Sequence, residues 1–288
     1  SQIGPSKLYA AFRNTLAAVI ALFAVYLVFE FRTLWFREFP KGFYYSGYAH
    51  EGAAWLTFAL ALATLVLSLV FRGGVLTDPR LPRLRRLAWI WSAENFILAV
   101  AVYHRLAIYI GFNGMGPMRI VGWYGISTVV VGFALVLWKI GRGRGLGWLL
   151  RRQLWTLALA VYLFVLTPVD AVVVECNVRR ILAGDSAPSV QISVHPTSND
   201  GALLLLPLLE TDDATIREGV RAMLAQREDD AEAAAERRES LGWTSYQISE
   251  SVVLERLRAE RHRWTDYGDP QRRDAALKRF HEYAYQWY

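Results

Sequence analysis

The chain has 288 residues, of which 54% are hydrophobic, 14% aromatic and 20% charged. A soluble domain of this length has about 45–50% apolar and about 25% charged residues, so a wholly soluble protein is excluded. Residues 1–174 contain 17 Lys and Arg against 6 Asp and Glu, whereas residues 175–288 contain 15 Lys and Arg against 20 Asp and Glu. Because the basic excess belongs to the apolar half, it does not indicate nucleic-acid binding. The two halves indicate a membrane domain followed by a soluble domain.

Five apolar runs in the first half approach the roughly 20 residues that a helix needs to cross a bilayer. They lie near residues 15–31, 53–71, 87–110, 120–140 and 149–167. None of them alternates polar with apolar residues, which excludes a transmembrane barrel. The sequence predicts an all-α, polytopic membrane domain over residues 1–167 and a mainly helical soluble domain over residues 168–288.

Tryptophans and basic loops flank these spans. Tryptophans near the span ends form the expected aromatic belt: Trp35, Trp55, Trp89, Trp91, Trp123, Trp138 and Trp148. The loops after the second and fourth spans are basic: Arg72, Arg80, Arg83, Arg85, Arg86, Lys139, Arg142, Arg144, Arg151 and Arg152. The positive-inside rule puts these loops and the N-terminus in the cytoplasm, and residues 168–288 outside. We therefore expect an impermeant maleimide to label the single cysteine, Cys176, from the outer side.

The acidic half is predicted to consist of helices. The first follows Thr167-Pro168, which has the pattern of an N-cap and a first-turn proline, and ends near Leu182. A connector rich in Gly, Ser and Pro comes next and contains a short extended stretch at Val190–Val194. The remaining predicted helices cover residues 202–209, 213–227, 231–239, 245–259 and 270–287.

Glu94 is the most informative single residue of the membrane half. It lies about 12 Å inside the third span, where ionisable groups are costly and commonly functional. Arg105 returns to nearly the same helix face eleven residues later, and Asn95 and His104 flank the two. This stripe is either a track for a proton or small ion, or a structural feature. In the structural interpretation, which we favour, Glu94 hydrogen-bonds a neighbouring helix and Arg105 extends to the outer headgroups.

Motifs for chemistry are weak. A metalloprotease helix that began at His50-Glu51 would need a second histidine at position 54, which is Ala. The glycine-rich segments 111–116 and 141–147 connect membrane spans and are predicted to be turns, not nucleotide loops. No catalytic triad, metal-ligand set or acid pair can be assembled, so we expect neither a metal nor a cofactor. An enzyme is the least favoured class.

Four segments occur in a recognisable order: residues 45–52 (YSGYAHEG), residues 104–119 with Arg105, Tyr109 and Arg119, residues 167–180 with Asn177 and Arg180, and residues 242–247 (GWTSYQ). Together they resemble motifs of a family of bacterial polytopic membrane proteins catalogued as a domain of unknown function. The resemblance implies a bacterial origin, and further membrane spans before Ser1. It implies no particular activity.

The segments that carry the resemblance cluster on the predicted outer side. We expect a docking or ligand surface there, built from Tyr45, Tyr48, His50, Glu51, Tyr109, Arg119, Asp170, Asn177 and Arg180. The favoured function is a non-enzymatic, multi-pass inner-membrane subunit, scaffold or sensor of an envelope complex, in contact with the bilayer and with protein partners or copies of itself. The alternative is a transporter or ion-conducting protein that uses Glu94, Asn95, His104 and Arg105.

Overall fold

The computed structural model describes residues 9–32, 45–71, 78–195, 198–241 and 248–287. Within these ranges every regular element is a helix, and no β-strand occurs. The predicted all-α class is therefore confirmed. The chain divides into two compact units. The first, here called the membrane unit, comprises Ser1–Ile108 and Val121–Leu166, and the second, the C-terminal unit, comprises Tyr109–Ile120 and Thr167–Tyr288.

Long helices contain the predicted spans: α1 (Tyr9–Glu30), α2 (Tyr45–Val70), α3 (Leu81–Asn113), α4 (Pro117–Arg142) and α5 (Leu146–Leu166). Among the described residues, α1, α3, α4 and α5 are each long and apolar enough to cross a membrane. The helix α2 contributes a shorter apolar stretch, Thr57–Leu67. The chain is thus a polytopic α-helical membrane protein, as predicted.

The membrane unit buries one face of its helices and exposes apolar side chains on the other. Leu16 of α1, Leu60 of α2, Trp91 of α3 and Phe133 of α4 belong to one buried cluster. In contrast, α5 exposes large apolar side chains along most of its length, including Val165 at 74%. A soluble protein rarely exposes so large an apolar surface, whereas lipid accommodates it without cost.

The C-terminal unit consists of α6 (Val169–Leu182), α7 (Ser189–Val194), α8 (Asn199–Ala202), a 3-10 helix (Leu203–Glu210), α9 (Ala214–Leu241), α10 (Ile248–Glu260) and α11 (Pro270–Ala284). Its core includes residues from α6, the 3-10 helix, α9, α10 and α11. The approach between α9 and α11 is close at Gly219, where an added Cβ would lie 2.3 Å from Phe280 Cγ. Only glycine fits there without moving the Phe280 ring.

Two predicted elements of this unit were wrong. Residues 190–194 form the short helix α7, not an extended stretch, because Val190 and Ile192 are buried in the core and Pro188 precedes them in a helical conformation. The two helices predicted on either side of residue 229 form the single helix α9. The helix continues because Glu228 is buried and accepts hydrogen bonds from the Trp264 indole (2.9 Å) and from Arg261 Nε (2.7 Å).

The beginning of α6 also differs in detail from the prediction. The residue that precedes the helix is Pro168, and no side chain caps the helix there.

Residues 203–210 adopt a 3-10 conformation that contains Pro207, which lacks the backbone N–H that helix hydrogen bonding requires.

Candidate functional site

The polar stripe of α3 contains a buried ion pair that the sequence did not predict. Arg105 Nε donates to Glu30 Oε1 (2.7 Å) and Nη2 donates to Oε2 (2.5 Å). The Tyr26 hydroxyl, one turn earlier on α1, also donates to Glu30 Oε2 (2.8 Å). The side chains of Arg105 and Glu30 are 5% and 1% exposed. A bidentate guanidinium–carboxylate pair of this kind neutralises both charges within the membrane unit.

Arg105 therefore does not extend to the headgroups, contrary to the structural interpretation of the sequence. Its counter-ion lies on α1, 75 residues earlier in the chain. The available signal was an acid in the first apolar run and a base in the third, since opposite charges inside membrane spans commonly pair. His104, the neighbouring member of the predicted stripe, is half-buried.

Glu94 and Asn95 form a second polar group on α3, about three turns before Arg105. Asn95 is fully buried, and its Nδ2 donates to the Trp91 carbonyl oxygen (2.7 Å). Asn95 Oδ1 and Glu94 Oε2 are buried atoms with no hydrogen-bond partner among the described residues. Eleven residues of helix put Glu94 and Arg105 about 16 Å apart along the axis. The buried side chains of Leu98 and Val102 lie between these two levels, so the structure does not bring Glu94 and Arg105 together.

The turn between α3 and α4 lies within the C-terminal unit and is fastened by Asn177 of α6. Asn177 Oδ1 accepts from the Met115 N–H (2.7 Å), and its Nδ2 donates to the Met115 carbonyl oxygen (2.8 Å). The side-chain amide therefore satisfies both backbone polar groups of one turn residue. Asn177 is fully buried and Met115 is half-buried, so water has limited access to these hydrogen bonds.

Arg180, one turn further along α6, caps the end of α3. It donates from Nη1 to the Ile110 carbonyl oxygen (2.5 Å) and from Nη2 to the Gly111 carbonyl oxygen (2.7 Å). The last carbonyls of a helix lack partners within the helix and carry partial negative charge, which a guanidinium neutralises. Asp185 Oδ2 accepts from the same guanidinium (2.5 Å from Nη2).

The turn approaches α6 and α7 closely, and at Gly114 only glycine fits. Gly114 has a φ of +91°, and an added Cβ would lie 2.6 Å from Asn177 Oδ1 and 2.9 Å from Pro188 Cα. At Gly116 a Cβ would lie 2.8 Å from Gln191 Oε1. Both the left-handed conformation and the missing Cβ are properties of glycine.

Tyr109 and Arg119 stabilise the turn from its own two ends. Arg119 Nη2 donates to Asn113 Oδ1 (2.5 Å), and the guanidinium carbon lies 3.8 Å from the centre of the Tyr109 ring. Arg119 is only 5% exposed. Tyr109, Arg119, Asn177 and Arg180, which the sequence placed on an outer surface, thus meet at one turn. Their described polar contacts are with this turn and its immediate neighbours.

Asp170 does not join this cluster. It lines a neighbouring cavity of about 310 Å³ together with Pro117, Val173, Val174, Asn177, Gln191, Ile192 and His195. A cavity of this volume is at the lower end of the range for small-molecule sites, and its lining combines apolar side chains with a carboxylate, amides and an imidazole.

The other predicted site residues give less information. Tyr45, Tyr48, His50 and Glu51 fall in the first turns of α2, where their side chains lie outside the described residues, as does the segment 242–247. Among the residues that the structure describes, no three His, Cys, Asp or Glu side chains come together as metal ligands would. Cys176 is a half-buried free thiol.

Comparison with known proteins identifies a family and no activity. No curated protein matches the chain, and no solved structure matches it. One family model matches residues 5–199, which include the whole of α1 to α7 and so the polar stripe, the α3–α4 turn and the helix α6 that fastens it. The chain belongs to this family, which is described as a domain of unknown function, DUF4153.

Proposed function

We propose that this protein is a non-enzymatic, multi-pass subunit of a bacterial inner-membrane complex, with a scaffolding or sensing role, and that its C-terminal unit binds protein partners outside the cytoplasm. The observation that carries the proposal is the attachment of the α3–α4 turn to α6. Asn177 and Arg180 hold the backbone of a turn between two membrane-spanning helices by four hydrogen bonds. A partner that displaces α6 therefore acts directly on the ends of α3 and α4.

The chemistry of this cluster supports a positioning role. Asn177 and Arg180 use their polar atoms on the protein's own backbone and on Asp185. Arg119 is buried against Tyr109 and Asn113. Groups held in this way are suited to fixing one arrangement of the turn, although Arg119 Nη1 is buried without a hydrogen-bond partner among the described residues.

Transport of a proton or ion is a second candidate, favoured by the unpartnered buried oxygens of Glu94 and Asn95 within a span. It is weaker for two reasons. Glu30 already neutralises Arg105, and buried apolar side chains separate Arg105 from the level of Glu94 along α3. A Glu94→Gln variant that loses a measured ion flux while it keeps its thermal stability would favour this candidate over the first.

The composition of the extracted particle tests the proposal. The protein is extracted from its native membrane in a mild detergent, and the mass of the intact particle is measured with every chain identified. We expect foreign chains in fixed stoichiometry. A particle that contains only this chain, as a monomer or as a homo-oligomer, would contradict the proposal.

Labelling tests the proposed orientation. The exposed cations Arg142, Arg144, Arg151 and Arg152 support a cytoplasmic position for the turn after α4. We expect an impermeant maleimide to label Cys176 in intact spheroplasts. Because Cys176 is half-buried, a Lys278→Cys variant in a Cys176→Ala background provides a second probe at an exposed position. Arg144→Cys in the same background is the control, expected to react only after the membrane is opened. The reverse pattern would overturn the orientation.

A further inference from the structure

A groove in the membrane unit has the character of a lipid site. It has a volume of about 500 Å³ and is lined by Trp89 of α3 and by Ala134, Leu137, Trp138, Gly141 and Arg142 of α4. The two tryptophans are 54% and 55% exposed. The lining is apolar except for Arg142, which lies at the last residue of α4.

Aromatic and basic side chains continue beyond the groove. The Trp138 ring centre lies 6.4 Å from that of Trp148 on α5, and the Arg152 guanidinium lies 5.8 Å from the Trp148 ring. Tryptophans concentrate at the boundary between hydrocarbon and headgroups, so this end of the groove belongs to the membrane interface.

The charge at this end is almost entirely positive. Exposed cations follow Trp138 and also precede Trp89 on α3: Arg83, Arg86, Arg142, Arg144, Arg151 and Arg152. Within the described residues 78–90 and 138–152 the only acid is Asp78, which is already paired with Arg80 (3.1 Å). This positive charge favours an anionic ligand and disfavours a cationic one.

We propose that this groove is a binding site for an anionic phospholipid. An acyl chain lies along Ala134 and Leu137 between the two tryptophans, and the headgroup phosphate is held by Arg142. Guanidinium suits this role because its donors match phosphate oxygens. A zwitterionic lipid carries an ammonium group that the surrounding arginines repel, so an anionic headgroup is preferred. Basic pockets between membrane helices are known sites for such headgroups.

Lipid retention tests the site. The intact protein is delipidated in detergent, mixed with phosphatidylglycerol or with phosphatidylcholine of the same acyl chains, and the lipids bound per protein are counted by native mass spectrometry. We expect phosphatidylglycerol to bind more tightly than phosphatidylcholine. Arg142→Gln should weaken phosphatidylglycerol binding about fivefold, the value of one cation near an anionic lipid surface.

Arg144→Gln is the matched control, because Arg144 is exposed on the same turn but does not line the groove. At physiological salt, where charges more than roughly 8 Å apart are largely screened from each other, Arg144→Gln should weaken phosphatidylglycerol binding less than twofold. Equal losses in the two variants would show diffuse attraction by surface charge and overturn the site. Displacement of the lipid by inorganic phosphate at the same concentration would do so as well, because it would identify a free anion as the occupant.

A variant that fills the groove tests the acyl-chain contact. Ala134→Leu should reduce phosphatidylglycerol binding with every charge intact, whereas Ala158→Leu, on an exposed position of α5, should not. Both variants add apolar surface to a lipid-facing position, and thermal unfolding in detergent verifies that each is folded. Unchanged lipid binding by Ala134→Leu would show that no acyl chain lies in the groove. A protein dimer that this variant abolishes would show that a second copy of the chain occupies the groove. Either result would overturn the proposal.

Discussion

Each unit of the molecule holds an arginine in a set of hydrogen bonds, but the partners of the two arginines differ in kind. Arg105 in the membrane unit is 5% exposed and is neutralised by one buried carboxylate, Glu30. Arg180 in the C-terminal unit is 24% exposed and is shared between two helix-end carbonyls and the half-exposed Asp185. Where water is absent only a full counter-charge compensates a guanidinium, whereas partial charges and solvent suffice near the surface. The first arrangement should therefore fail abruptly when altered, and the second gradually.

The largest effect is expected for Glu30→Gln. The change leaves Arg105 charged and without its counter-ion, which should lower the free energy of unfolding by about 3–5 kcal/mol. Unfolding in mixed detergent micelles, followed by tryptophan fluorescence, measures this difference. The double variant Glu30→Leu with Arg105→Met removes both charges and should recover most of the lost stability. If Glu30→Gln unfolded like the original protein, the contrast between the two units would not hold.

Asn177→Leu should have the next largest effect. It leaves the backbone N–H and carbonyl of the half-buried Met115 without their partners, which should lower the free energy of unfolding by about 2 kcal/mol. Hydrogen exchange at the Met115 amide, measured together with global unfolding, locates the change. Asn177→Asp keeps an acceptor for the Met115 N–H but turns a second, buried and charged oxygen toward the Met115 carbonyl, so it should destabilise the unit at least as much as Asn177→Leu does. Unaltered exchange at Met115 in the Leu variant would contradict the fastening of the turn.

Arg180→Gln should lower the free energy of unfolding by about 1–2 kcal/mol. The loss is limited because water replaces part of the hydrogen bonding that the guanidinium gives to the carbonyls at the end of α3. Arg179→Gln is the control, since Arg179 is exposed and its ion pair among the described residues is with Glu175 of its own helix. An exposed pair of this kind contributes less than about 0.5 kcal/mol. Equal losses in the two variants would mean that the contacts with Ile110 and Gly111 do not stabilise the unit.

The smallest effect concerns alkaline pH. Burial raises the pKa of Tyr283 above its ordinary value of 10.0, and its hydrogen bond to Asp213 raises the pKa further. Above pH 10 the unfolded chain therefore releases this proton while the folded unit retains it, so stability falls as pH rises until the folded pKa is passed. Tyr283→Phe should unfold with a shallower dependence on pH in this range, and Tyr285→Phe, an exposed position, should not. Identical alkaline profiles for all three proteins would refute the assignment.

The membrane helices could be predicted because composition alone determines them. Runs such as residues 120–140 contain enough apolar residues to cross a bilayer whatever they pack against. The helix α7 could not, because its buried face was determined by tertiary contacts that outweigh the preference of Val and Ile for strands. Likewise, a break was predicted at residues 228–230, which contain no helix breaker, and the structure continues the helix through the buried Glu228.

The candidate site was only partly visible in the sequence. The motif positions around Tyr109 and Asn177 could be identified, but not the bonds between Asn177 and Met115, which are 62 residues apart. The pairing of Arg105 with Glu30 spans 75 residues. Contacts at such separations leave no periodic pattern, since they depend on which helices are neighbours.

The attachment of Asn177 to Met115 also constrains how the chain can be inserted into the membrane. The two residues can bond only on the same side of the bilayer, so the chain between them must cross it an even number of times, as α4 and α5 together do. During synthesis the turn is made before α5, and it gains its partner only after α5 has been inserted. A chain in which either helix failed to cross would leave Met115 and the end of α3 without their partners. The bonds between Asn177 and Met115 therefore cannot form in a polypeptide in which one of the two helices has crossed and the other has not.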